Sequence, residues 1–212
     1  MFIKACSSLP RYGCRERRGD GDMSVSRAAF SFEKALAVLK GAAVLPFKAS
    51  SAGRLSRIAG KLLLKNKGEL IIGRNVSFHA KPFPSSVTVG KGARLTIGDN
   101  VFFNYGLDIG CTSSITIGRH SIIGPMVNMI DSNFHPVDSQ DRSAAKPIVI
   151  GDNVWIGRGA IILPGVHIGS GSVIAAGSVV TRDIPSAVLS GGTPAKTLKE
   201  IEVPPDWIRR YN

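Results

Sequence analysis

The sequence predicts an all-β chain wound as a parallel β-solenoid, with a helical region at its N-terminal side. Three observations carry this. A six-residue pattern returns along most of the chain. Glycine is abundant, at 24 residues, while aromatics are only 7%. No long amphipathic helical pattern interrupts the repeat.

The repeat is legible from Leu70 onward. It reads LIIGRNV at 70–76, VTVGKGA at 87–93, LTIGDNV at 95–101, ITIGRHS at 115–121 and IVIGDNV at 148–154. Ile150, Ile156, Ile162, Ile168, Ile174 and Val180 then mark the six-residue period without a slip. Six residues suffice for one short strand and one tight turn. Stacked units of this size form a solenoid whose aliphatic side chains point inward and rest on their copies one coil away. Backbone groups then pair along the axis, and only the ends are left open.

Before the repeat, residues 1–30 read as a basic, disordered leader carrying Arg11, Arg15, Arg17 and Arg18 without the apolar core of a signal peptide. Met23 offers an alternative start. Residues 31–68 read as a helical region. Phe32, Leu36, Leu39 and Ala43 recur at helical spacing over 31–45, Ser31 can cap, and Pro46 is expected to stop the helix. Residues 54–65 read as a second, basic amphipathic helix, packed on the main domain or lying on an anionic membrane surface. The solenoid is expected over 69–200, with a loop at 131–147 and a tail at 201–212.

Composition narrows the classes. The net charge of +12 favours anionic partners, but no nucleic-acid motif or aromatic platform among basic residues accompanies it. No apolar run is long enough for a membrane span. The cysteines (Cys6, Cys14 and Cys111) have no metal-like spacing, which suggests a reducing, cytoplasmic setting, either free or at the inner face of a membrane.

The stretch IVIGDNVWIGRGAIILPGVHIGSGSVIAAGSVVTRDIPSAVLSGGTPAK at 148–196 closely resembles the hexapeptide-repeat acyltransferases, nearest to sugar O-acetyltransferases of the maltose, nodulation and exopolysaccharide type. The resemblance implies a left-handed parallel β-helix, a homotrimer with active sites between subunits, acetyl-CoA as donor and no metal. The acceptor it implies is a hydroxyl of a sugar or saccharide.

The repeat breaks once, between IGPMVNMI at 123–130 and PIVIG at 147–151. A loop leaving a rigid scaffold is a natural place for chemistry. The resemblance puts the catalytic histidine here, as His135, the general base that takes the proton of an attacking hydroxyl. Asp131 or Asp138 orients its ring; spacing does not choose between them. Asn104, in VFFNYG, matches a family asparagine near the thioester and is a donor to the tetrahedral oxygen or an anchor for the CoA arm. By the same resemblance Trp155, Arg158, Ala176, Thr181 and Arg182 line the donor groove, and Lys196 with Lys199 reaches its nucleotide end. Cys111 is read as structural rather than as an acyl carrier.

Rival readings share the solenoid. A γ-class carbonic anhydrase needs a close histidine pair, which His79, His120, His135 and His167 do not form by spacing. Transfer to serine, to an antibiotic or to a nucleotide-linked amino sugar uses the same loop, and a non-catalytic scaffold needs none of these residues. The segment 139–146 is shorter than in maltose-type enzymes. That counts against a small free sugar and, with the basic N-terminal region, points to surface-polysaccharide assembly beside a membrane.

Overall fold

The computed structural model describes residues 23–136 and 144–211, with only the backbone given for 23–31. It is a parallel β-solenoid of about seven turns behind one N-terminal helix. Each turn has three faces. The first stacks Ser51–Ala52, Glu69–Ile72, Arg94–Ile97, Ser114–Ile117, Ile148–Ile150 and His167–Ile168. The second and third are joined at the bottom by two long strands, Arg57–Asn66 and Ser77–Val89, which turn the corner between them. Above these, the second face continues through Phe102–Phe103, Ile122–Ile123, Trp155–Ile156, Val173–Ile174 and Val188–Gly192. The third continues through Asp108–Cys111, Asn128–Ile130, Ile161–Ile162 and Val179–Val180.

Register explains the repeat. Ile72, Ile97, Ile117, Ile150 and Ile168 stand above one another on the first face, each buried. On the second face Phe78 and Phe103 stack with ring centroids 4.9 Å apart. Aliphatic side chains in register fill the narrow interior at close packing.

The corner between the first and second faces explains the residues after each Ile-Gly. Asn75, Asn100, His120 and Asn153 all have positive φ there, between 55° and 60°. Asparagine tolerates this left-handed conformation better than most residues. Two residues earlier, a Cβ on Gly118 would lie 2.5 Å from the carbonyl carbon of Gly151 in the next coil, so only glycine fits. Between these positions Arg74 pairs with Asp99, and Arg119 with Asp152, at 2.8 Å from coil to coil.

The N-terminal region departs from expectation in two ways. The helix runs Met23–Lys48 with Pro46 inside its last turn, and the Phe32, Leu36, Leu39 stripe faces outward, with Phe32 72% exposed. The inward face is instead Ala37, Gly41 and Leu45. Gly41 decides this: a Cβ there would lie 2.1 Å from the Ser56 carbonyl oxygen, so the small-residue face makes the close approach. Leu45 then enters the solenoid core and caps its open end. Residues 54–65, read from sequence as a basic helix, fall mostly in a strand, Arg57–Asn66. Leu62 and Leu64 turn inward while Lys61, Leu63 and Lys65 turn out. A cluster of leucines fits either period, and the parallel partner Ser77–Val89 selects the strand. The solenoid therefore begins at Ser51 rather than at 69.

At the other end Val188–Gly192 and Ala195–Glu200 form an antiparallel pair. The tail then runs back down the molecule. Asn153 holds it, accepting from the Arg209 amide at 2.9 Å and donating to the Trp207 carbonyl at 2.8 Å. Farther down, Tyr211 stacks on Phe102 at 4.2 Å.

Candidate active site

The loop that breaks the repeat leaves from the end of the third-face strand Asn128–Ile130. Its neck is closed by backbone: Lys146 N–H donates to the Asp131 carbonyl at 2.8 Å. Phe134, with φ 60°, lies back over the third face, where a Cβ on Gly110 would come within 3.4 Å of its ring. His135 follows, exposed to solvent. Asp138 and Asp141 fall outside the described residues.

Asp131 does not orient that histidine. It is fully buried, and its carboxylate accepts from the Thr112 amide, the Thr112 hydroxyl and the Ser113 amide, each at 2.7 Å. Its oxygens are committed to the coil below, so it anchors the loop rather than the imidazole. Beneath it Cys111 is buried, and burial, then the Asp131 charge, pushes its thiol up to about 12. A thiol held protonated is a poor nucleophile, which agrees with a structural Cys111.

Asn104 stands at the corner between the second and third faces, at the opposite edge of the third face from the loop's exit. Tyr105 N–H donates to Asn104 Oδ1 at 2.9 Å. That bond engages the carbonyl end of the amide and leaves the NH₂ end as the donor. Higher on the same corner come Arg158 and Ala176, aligned by the bonds Gly159 N–H to Pro125 O and Gly177 N–H to Arg158 O. Arg158 reaches down to donate to the Tyr105 hydroxyl at 2.7 Å, with its guanidinium 5.5 Å from the ring centroid. Gly159 and Gly177 both have positive φ, and a Cβ on either would meet nothing within 4 Å. This edge is therefore open to a ligand that lies along it.

The rest of the expected donor set is dispersed. Thr181 and Arg182 lie exposed at the opposite edge of the third face, after Val179–Val180. Trp155 projects from the second face, 47% exposed, between Ile122 and Val173. Lys196 and Lys199 stand on the terminal strand Ala195–Glu200. Arg158 and Ala176 share one edge, but Thr181 and Arg182 do not join them within one chain.

Sequence reading missed a cavity of about 420 Å³ between the N-terminal helix, the lower second face and the tail. Asn104 and Tyr105 form one wall, and Arg57, His79, Lys81 and Tyr211 form much of the rest. The signal available was Tyr105 itself, the neighbour of Asn104 in VFFNYG. The contribution of Tyr211 depends on the returning tail and has no local signature. The histidines are not gathered: His79 faces this cavity, His120 sits at a corner, His135 on the loop and His167 on the first face.

Comparison with known proteins agrees with this architecture. Residues 147–182 match the family model described as bacterial transferase hexapeptide (six repeats). A Schizosaccharomyces pombe protein, itself only provisionally assigned as an acetyltransferase, is 38% identical over 156 residues, covering 71% of this chain and 75% of that one. The galactoside O-acetyltransferase of Escherichia coli K12 is 42% identical over 114 residues, covering 52% of this chain and 56% of that one. A crystal structure of a hexapeptide-repeat-containing acetyltransferase from Vibrio cholerae O1 biovar eltor, complexed with acetyl coenzyme A, superposes with a TM-score of 0.54 at 28% identity. It covers 87% of this chain and 91% of that one. The chain belongs to the hexapeptide-repeat acyltransferases.

Proposed function

We propose that the protein transfers an acetyl group from acetyl-CoA to a hydroxyl of a saccharide, with His135 as general base. The observation that carries this is the loop: its neck is tied by Asp131 and Lys146, and it presents an exposed imidazole at an edge of the solenoid. The neutral ring takes the hydroxyl proton as the oxygen attacks the thioester carbonyl. The Asn104 NH₂ donates to the negative tetrahedral oxygen. The C–S bond then breaks, and the imidazolium returns its proton to the departing CoA sulfur. Arg158, Arg182, Lys196 and Lys199 supply cations for the CoA phosphates, and the open glycine edge beside Arg158 and Ala176 admits the pantetheine arm.

This reading needs more than one chain. Asn104 and the exit of the His135 loop are separated by the strand Asp108–Cys111, four residues long, or roughly 13 Å at about 3.3 Å each. That separation favours Asn104 of one copy meeting His135 of another, in the homotrimer that the family resemblance implies. Exposed apolar side chains at Met126, Trp155 and Ile161 support such an interface.

The setting fits surface-polysaccharide assembly at the cytoplasmic side of a membrane. Residues 32–68 carry eight cations (Lys34, Lys40, Lys48, Arg54, Arg57, Lys61, Lys65 and Lys67) against the single acid Glu33. The outward Phe32, Leu36, Leu39 and Phe47 offer an apolar face beside them. The test is to incubate the protein with acetyl-labelled acetyl-CoA and saccharides, serine or chloramphenicol. Label on a saccharide hydroxyl supports the reading; label only on serine or chloramphenicol contradicts it.

A further inference from the structure

We propose that the cavity under the N-terminal helix is the acceptor pocket, and that it selects a saccharide carrying an anionic group, a phosphate or a carboxylate. The proposal rests on the transferase reading and names the class of substrate for that site.

Position is the first argument. Asn104 and Tyr105 belong to the cavity wall, and the Tyr105 hydroxyl is held by Arg158 on the donor edge. Donor edge and cavity therefore meet at one tyrosine. A hydroxyl held in the cavity lies beside the amide assigned to the tetrahedral oxygen.

The lining is the second. Tyr211 and Phe102 stack at an interplanar angle of 24°, and the His79 ring lies 6.3 Å from Phe102. Flat apolar faces with polar tips suit a pyranose, whose C–H face covers a ring while its hydroxyls reach the rim. His79 is kept neutral at physiological pH. Burial, then the Lys81 charge, lowers its pKa from the ordinary histidine value, with Glu33 opposing weakly. A neutral imidazole both donates and accepts toward hydroxyls.

Charge is the third. Arg57 and Lys81 line the cavity beside the acid Glu33. Glu33 pairs with Lys81 at 3.0 Å, but both side chains are well exposed, so the pair is weak and Lys81 can exchange to a ligand. Arg57 donates one Nη2 bond to Asn75, while its Nε is buried with no hydrogen-bond partner. A buried donor left unsatisfied is costly, and an anion is the partner a guanidinium fits best. A neutral sugar would leave that donor unmatched, which is the basis for discrimination.

The test is calorimetric titration of the full-length protein, without acetyl-CoA, with glucose 1-phosphate, glucuronic acid, glucose and inorganic phosphate at millimolar concentration. At least one anionic sugar should bind about tenfold tighter than glucose, a difference of about 1.4 kcal/mol. Which of the two does so identifies the anion. Arg57→Met and Tyr211→Ala should each weaken that binding about tenfold while CoA affinity stays unchanged. Tyr211 lies on the returning tail, outside the strands of the solenoid, so its variant leaves the solenoid intact if Arg57→Met fails to fold. The proposal is overturned if glucose matches both anionic sugars, if inorganic phosphate alone matches the sugar phosphate, if Tyr211→Ala binds like wild type, or if none of the sugars binds. If an anionic sugar binds as described but no acetyl transfer is found, the transferase reading fails and the acceptor role with it, while the cavity stands as an anionic-saccharide site.

Discussion

Asp131 and Thr112 are joined twice: the Thr112 amide and hydroxyl both donate to Asp131 Oδ1 at 2.7 Å. With the Ser113 amide on Oδ2, this clamp ties the root of the His135 loop to the coil beneath it. The carboxylate itself is fully buried, so these three bonds are what compensates its removal from water.

Asp131→Ala should therefore act on stability. It removes three hydrogen bonds and leaves the part-buried Thr112 and Ser113 amides without their carboxylate, and the expected cost is about 1–3 kcal/mol, seen as a lower denaturant midpoint. The pKa read from the pH profile of kcat/KM should not move. A shifted profile with unchanged stability would return Asp131 to the role of ring partner.

Cys111 should be inert in the folded protein. With its thiol at about 12, a negligible fraction is thiolate at pH 8. With Cys6 and Cys14 replaced by serine, the native protein should not react with a thiol-reactive dye until denatured. Rapid native labelling would restore an acyl-cysteine route.

His79 should make stability depend on pH. Its folded pKa lies below its unfolded value near 6.5, so between the two the unfolded chain binds the extra proton. Stability is then full above pH 6.5 and falls as pH is lowered toward the folded pKa. His79→Gln should flatten that part of a plot of denaturant midpoint against pH, and an unchanged slope would mean the burial is without effect.

Gly41→Val should detach the helix. The added carbons would strike the Ser56 carbonyl, which is backbone and cannot yield as a flexible side chain would. The expected loss is about 1–3 kcal/mol, accompanied by faster hydrogen exchange in residues 57–60. Slow exchange there in the variant would show that the helix does not depend on Gly41.

The solenoid was legible because its interior accepts little besides aliphatic residues at fixed intervals, so Ile150 through Val180 record it directly. Asn75, Asn100 and Asn153 recorded the corner as well, since few residues take positive φ easily. The lower end was not legible. Leucines 62–64 satisfy helix and strand alike, and only pairing with 77–89 decides between them. The helix face was misjudged because its large residues look outward while Ala37 and Gly41 make the contact. Asn104 and His135 carried a recognisable signature, but the partner of Asp131 lies 19 residues earlier along the chain, in the coil beneath. Tyr211 reaches the cavity only because Asn153 turns the tail downward, 56 residues from Arg209, which no local pattern records.

The proposed role of His135 as the base for acetyl transfer from acetyl-CoA is tested most directly by kinetics. Steady-state CoA release should be compared for wild type and His135→Ala on an acceptor that the wild type acetylates, with CoA affinity measured alongside. A loss of about a hundredfold to ten-thousandfold in kcat, with CoA affinity and melting temperature unchanged, is the expected result. A variant that keeps the wild-type rate would contradict the account, because the break in the repeat would then not hold the base.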